Sequence, residues 1–260
     1  MSITSLALQY LTVAALRGAT LAGDAVQPGA IDALDVDVAR MAKPLISVFI
    51  GEDERKISGK ELIGGEHRVE VLIQTFLPAE VDILVDGVPL RTNSREGAAD
   101  LVMGVMRRQI DRVLSAGDSP AANLWRILVA EVEASSTTPF LFQITDQVRV
   151  SANETSFLCR MQIDEPSFGA PVLSDFWQLV IDVLAAEPEC SPIAVWIKAE
   201  IVAPENLPSW RIHQADLGLS AEARDGIGIG PLSVPEPASD ELPLVSGGTM
   251  DTGNEVWTEE

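Results

Sequence analysis

Basic residues are scarce in this chain. Eighteen Lys and Arg stand against 39 Asp and Glu, a formal net charge of −21 over 260 residues. A field of that sign repels phosphate, which excludes binding to a nucleic-acid backbone or an anionic membrane through general electrostatics. It suits plain solubility, or a surface that lets DNA pass without holding it. Histidine is scarcer still, with only His67 and His213. Neither has a Cys or His partner at metal-ligand spacing, so no metal site is expected. Two cysteines, Cys159 and Cys190, are too few for a disulfide framework. Both lie in or beside apolar segments and are expected as buried, reduced thiols, the state suited to a cytoplasm. Aromatic residues make up only 5% of the chain while hydrophobic residues make up 47%. The core should therefore be aliphatic, and the bulk of the chain folded.

Catalytic signatures are missing as well. The one glycine-rich stretch, Gly226-Ile227-Gly228-Ile229-Gly230, runs into Pro231 and opens no helix, so it is no phosphate loop. No Gly-x-Ser-x-Gly elbow occurs. No catalytic residue, cofactor or enzymatic activity is assigned. The apolar run from Ile3 to Ala22 has no preceding Lys or Arg, which argues against a signal peptide. Thr4, Gln9, Thr12 and Arg17 interrupt it, which argues against a membrane span.

That run predicts a helix over about 4–17, with Ile3, Leu6, Tyr10, Val13 and Arg17 in helical register and Gly18 or Gly23 past its end. Residues 32–37 read as a loop, and 45–50 as a short apolar strand. Residues 51–65 are rich in charge and glycine and predict a long hairpin loop. The next strand, 68–76, alternates strictly. Val69, Val71, Ile73 and Thr75 share one face; Arg68, Glu70, Leu72 and Gln74 share the other. Another strand at 81–85 meets an Asp86-Gly87 turn. A helix over 97–116 carries Leu101, Val105, Ile110 and Val113 on its apolar side and ends at Gly117. Ser119 and Pro120 form a good N-cap and first position for a helix running to about Ala134. Strands follow at 140–145, 147–151 and 156–164, then a helix over 175–186 capped by Ser174. A last strand is expected at 193–202.

The expected class is α+β, a mainly antiparallel sheet flanked by helices, with an extended acidic C-terminal tail. Residues 1–118 form one α/β unit. Residues 119–203 form a second part or an enlargement of the first, and 204–260 an irregular segment with one short helix near 220–224. From Pro231 to Glu260 there are seven acids and no bases, so seven of the 21 net negative charges lie there. That composition cannot bury enough apolar surface to fold alone.

Three charged clusters are candidate sites. Glu52-Asp53-Glu54 and Asp32/Asp35/Asp37 have the residue types of a cation site or a glycosidase pair, but runs of this kind are normally solvated loops. Arg107, Arg108 and Arg112 are the densest basic cluster. Nucleic-acid contact is one reading; in so acidic a chain, pairing with nearby carboxylates or a partner subunit is favoured.

The opening of the chain resembles the tail-terminator proteins of long-tailed, siphovirus-like phages. The residues that carry the resemblance are Leu16-Arg17, Gly23-Asp24-Ala25-Val26, and Pro44-Leu45-Ile46-Ser47-Val48-Phe49, followed by the strand 68–76 and the helix 98–114 in that order. Members of that family have an N-terminal helix leading into a mainly antiparallel sheet. Six copies close into a ring at the head-proximal end of the tail tube. The resemblance implies a structural virion protein, assembled in the host cytoplasm. It ends tube growth and contacts itself, the tail tube protein and a head-tail connector or neck protein. DNA would pass through its bore unbound. Glu52, Asp53 and Glu54, at the tip of the expected loop, would face that lumen, and Arg107, Arg108 and Arg112 would contact a subunit or partner. Residues 120–203 and the acidic tail go beyond the family's pattern. Another neck or tail-completion protein, an acidic cytoplasmic interaction or chaperone-like protein, and an enzyme with a dispersed site are the alternatives.

Overall fold

In the computed structural model the described residues are 2–29, 43–56, 65–78, 80–85, 88–93, 98–145, 148–164, 166 and 173–202, with side chains described outside 79–98 and 141–149. The acidic loop 32–37, His213, the short helix at 220–224 and the acidic tail lie outside these residues.

Ser2 opens the first helix, α1 (Ile3–Leu16), through a reciprocal cap in which Ser2 and Ser5 each bond the other's backbone. Arg17 closes it, and Gly18 follows with φ of +68°, the left-handed position that only glycine takes without strain. The face differs from the expected one. Ile3, Leu6 and Tyr10 are only partly buried, while Ala7, Leu8, Leu11, Ala15 and Leu16 are in the core. The helix is buried around most of its circumference, so its polar side chains need partners. Gln9 Nε2 donates to the Val48 carbonyl at 2.8 Å, and Trp125 Nε1 donates to Thr12 Oγ1 at 3.1 Å.

A short strand, β1 (Val26–Pro28), pairs in parallel with β2 (Leu45–Lys56). Antiparallel to β2 runs β3 (Glu66–Leu77), which alternates as its sequence predicts. Val69, Val71, Ile73 and Thr75 are buried, and Arg68, Glu70, Leu72 and Gln74 are half-buried on the other face. The strands β4 (Glu80–Val85) and β5 (Val88–Asn93) form a separate antiparallel two-stranded sheet, and the expected Asp86-Gly87 turn lies outside the described residues. Helix α2 (Ala98–Ala116) follows, and its apolar face is turned from the expected one. Val102, Met106, Ile110 and Val113 are buried, whereas Leu101 is 53% exposed. Gly117 ends the helix where a Cβ would lie 2.5 Å from the Val113 carbonyl oxygen.

Helix α3 (Pro120–Leu128) starts on Ser119 as expected, with Ser119 Oγ accepting from the Ala122 N–H at 3.1 Å. It stops at Leu128, not Ala134. Residues 129–134 belong instead to β6 (Val129–Thr145), a 17-residue strand antiparallel to β7 (Val148–Met161). Val129, Val132 and the Ser-Ser-Thr-Thr run are β-formers with no continued helical stripe, so the extended state wins there. Helix α4 (Asp175–Ala186) begins on Ser174. The last segment is a helix, α5 (Ser191–Ile201), where a strand is expected. Its β-branched content favours a strand, but Pro192 suits a helix start and Ala194, Ile197 and Ile201 fall on one helical face that packs on α4.

The large sheet has the order β1-β2-β3-β7-β6 and is antiparallel apart from β1 with β2. The fold is therefore α+β. Among the described residues, those of 119–203 build no sheet of their own, because β3 pairs with β7 along ten residues and α1, α3, α4 and α5 contribute to one core. A smaller apolar cluster, Leu45, Phe76, Val150 and Ala152, lies apart from it, with Phe140 packed edge-on to Phe76.

Candidate assembly surface

A β-bulge decides where the Glu52-Asp53-Glu54 cluster points. Strand β2 pairs with β3 as Ile50↔Val71, then resumes as Asp53↔Val69, so Gly51 and Glu52 together face Glu70. If these residues alternated strictly, with no bulge, Asp53 would share the outer face with Phe49. With it, Asp53 joins Ile50 and Val69 on the helix-covered face, while Glu52 and Glu54 stay on the outer side. The bulge carries glycine for a reason. A Cβ at Gly51 would stand 2.6 Å from Glu70 Oε2 and 2.7 Å from Leu72 Cδ1.

The acidic cluster is thus in a strand and not in the hairpin loop expected from its charge. Asp53 is drawn inward, with its side chain 19% exposed. Its Oδ2 accepts from the Ser2 N–H at 2.9 Å and from Ser5 Oγ at 2.8 Å, and its Oδ1 meets His67 Nε2 at 2.7 Å. The carboxylate therefore sits at the positive end of α1, where the helix dipole and unpaired N–H groups favour an anion. Burial pushes the Asp53 carboxyl up, but the hydrogen bonds from Ser2, His67 and Ser5 and the proximity of the His67 ring outweigh it, leaving the group below its ordinary value.

Ser5, Asp53 and His67 are residue types of a hydrolase triad, but their order is wrong for one. The serine hydroxyl bonds the carboxylate and not the imidazole, so nothing is placed to take its proton. The remaining ring nitrogen, His67 Nδ1, is buried without a partner. Among the described residues no group of three or more His, Cys, Asp or Glu is placed to hold a metal ion. The two thiols are apart from this cluster and free. Cys159 is fully buried, and burial pushes its pKa up to about 12; burial also raises Cys190 to about 11.

No protein-family model matches the chain, and no curated protein matches it.

The arginine cluster is split by the turn of α2. Arg107 faces the sheet. Its guanidinium lies 4.8 Å from the centre of the Phe157 ring and donates to Asp111, to Thr137 Oγ1 at 2.8 Å and to Ser135 Oγ at 2.7 Å, tying α2 to β6 and β7. Arg108 and Arg112 are exposed on the opposite side and, among the described residues, have no hydrogen-bond or ion-pair partner.

The outer face of the sheet is a charge ladder. Arg68 bridges Glu66 and Glu133, and Arg160 bridges Glu131 and Glu133. The Glu131 hydrogen bond raises the Arg160 guanidinium above its ordinary value. Glu131 and Glu133 belong to β6, the long edge strand, exposed from residue 130 to 139. Three register shifts, Pro139 and the two glutamates all fall in that strand. Each of these devices hinders pairing of an open edge with another strand. No helix of the described residues is long and apolar enough to cross a membrane.

Only part of this surface could be anticipated. The Ser2-x-x-Ser5 spacing at the start of an apolar run is a capping signal that points to a helix N-terminus in need of an acceptor. Its acceptor, 48 residues away, is set by the bulge.

Proposed function

We propose that this chain is a structural virion protein, a ring-forming tail terminator that ends tail-tube growth and joins the tail to the head. The observation that carries the reading is the order of elements. A capped, almost fully buried N-terminal helix leads into a mainly antiparallel sheet, and a long helix follows on its inner face. This is the architecture the resemblance implies. The charge of −21 supports it further, because six such chains around an opening would line it with carboxylates and let DNA slide. A closed ring stops growth because one side accepts the last tube ring while the other side no longer offers that surface. Glu52 and Glu54, exposed on the outer face, remain candidates for a surface toward the bore or a neighbour; Asp53 is committed to α1.

A phage lacking this protein should give DNA-filled heads and separate tails of irregular or excessive length. Normal-length tails already joined to heads would refute the terminator role. Six copies imaged between tube and connector would support it directly.

A further inference from the structure

We infer that successive copies of this chain meet through Arg108 and Arg112 of one copy and Glu52 and Glu54 of the next. This rests on the ring reading above and names the contact that would close it. Arg108 and Arg112 are exposed one turn apart on α2, and among the described residues neither has a partner. Two unpaired guanidiniums in a chain of net charge −21 call for an acidic surface. The molecule carries one with matching spacing. Glu52 and Glu54 are both exposed and, among the described residues, also unpartnered. The β2 bulge places both on the outer face while removing Asp53 between them.

The spacings agree. Four helical residues rise about 6 Å, and two strand residues span roughly 6.6 Å. Two parallel Arg–carboxylate pairs therefore fit without displacing either backbone. The two patches also lie on opposite sides of the sheet, since α2 covers the inner face and Glu52 and Glu54 stand on the outer one. One chain cannot satisfy itself. Front-to-back contact between different patches is heterologous, the kind that makes rings when the rotation closes. By contrast, β6 is defended against edge pairing, so extension of the sheet through that strand is not the route.

The test uses the full chain and native mass spectrometry over a range of protein and salt concentrations. R108E/R112E and E52K/E54K should each raise the concentration needed for half-assembly about tenfold or more, with unchanged circular dichroism and, at concentrations where the wild type is also unassembled, unchanged melting. Combining all four reversals should restore assembly, and added salt should weaken the wild-type ring. A wild-type ring that R108E/R112E leaves intact would overturn this contact and leave the ring reading standing. Reversals that disassemble the ring but do not rescue each other would overturn the pairing. A wild type that is monomeric throughout would remove both readings. DNA binding by the wild type, lost in R108E/R112E, would assign the arginines to phosphate instead.

Discussion

Replacing Asp53 with Ala should cost the protein about 2–4 kcal/mol of folding stability. Three groups lose an acceptor: the Ser2 N–H, the Ser5 hydroxyl and His67 Nε2. Hydrogen bonds to a charged group are each worth roughly 1.5–3 kcal/mol, but the first two groups are covered by a second acceptor within the cap, Ser5 Oγ and the Ser2 carbonyl, which replaces much of the loss. His67 is not, being 6% exposed with Nδ1 already unpartnered. Leaving its second nitrogen unpaired costs about 1–3 kcal/mol, and removing the anion from the helix end adds about 0.3–1 kcal/mol. The assay is denaturant unfolding followed by tryptophan fluorescence, at one fixed chain concentration because assembly would shift the midpoint. Glu52→Ala and Glu54→Ala serve as controls and should change stability by no more than about 0.5 kcal/mol. A loss below that value for Asp53→Ala, or equal losses at all three positions, would refute the placement of Asp53 at the helix cap. The pH dependence has a definite sign. The folded-state carboxyl lies below its ordinary value, so its contribution is present above about pH 4 and is lost as pH falls through the folded value. Asp53→Asn should flatten that part of the acid-unfolding curve.

Other outcomes follow from the same packing. Val71, fully buried on the inner face of β3, should not tolerate Asp, because an unpaired carboxylate there costs several kcal/mol; Glu70→Lys on the outer face should change the melting temperature by a few degrees at most. Equal stabilities would reverse the face assignment. Trp125→Phe should lose about 1 kcal/mol with its hydrogen bond to Thr12, and Thr12→Val in that background should cost little more, a coupling read from a double-mutant cycle. Cys159 and Cys190, both buried with raised pKa, should resist thiol reagents in the native protein and return two reactive groups on denaturation without reductant. Zero groups would mean a disulfide.

The reach of sequence reasoning here tracks the range of the forces involved. Local signals succeeded: Ser119-Pro120 and Ser174 start helices, Gly18 ends one, and the alternation of 68–76 gave the correct buried face. Errors occurred where tertiary contacts override local preference. The period around Leu101 admits two faces one residue apart, and packing on the sheet selected the one through Val102 and Met106. In α5 the β-branched residues suggested a strand, but the strands of the sheet are supplied elsewhere and the apolar spacing fits a helix lying on α4.

The candidate surface was legible in composition but not in placement. Three adjacent acids and three neighbouring arginines each read as one cluster, and the fold divides both. Helical rotation turns Arg107 onto Phe157 and leaves Arg108 and Arg112 in solvent. The bulge in β2, where Gly51 and Glu52 share one ladder position, sets Asp53 toward α1 and leaves Glu52 and Glu54 outside. In each case the middle or leading charge is spent on holding the sheet to a helix, and the two that remain are free. The bulge therefore has two consequences at once. It supplies the acceptor that the N-terminal helix needs, and it creates the outward carboxylate pair whose spacing matches the free arginines. Deleting Glu52 would remove the bulge without turning Asp53: Gly51 would face Glu70, Asp53 would still face Val69, and only Glu54 of the outward pair would remain. That deletion should therefore weaken assembly while the Asp53 contacts to Ser2, Ser5 and His67 stay in place, whereas Asp53→Ala should weaken folding and leave R108E/R112E its full effect on assembly.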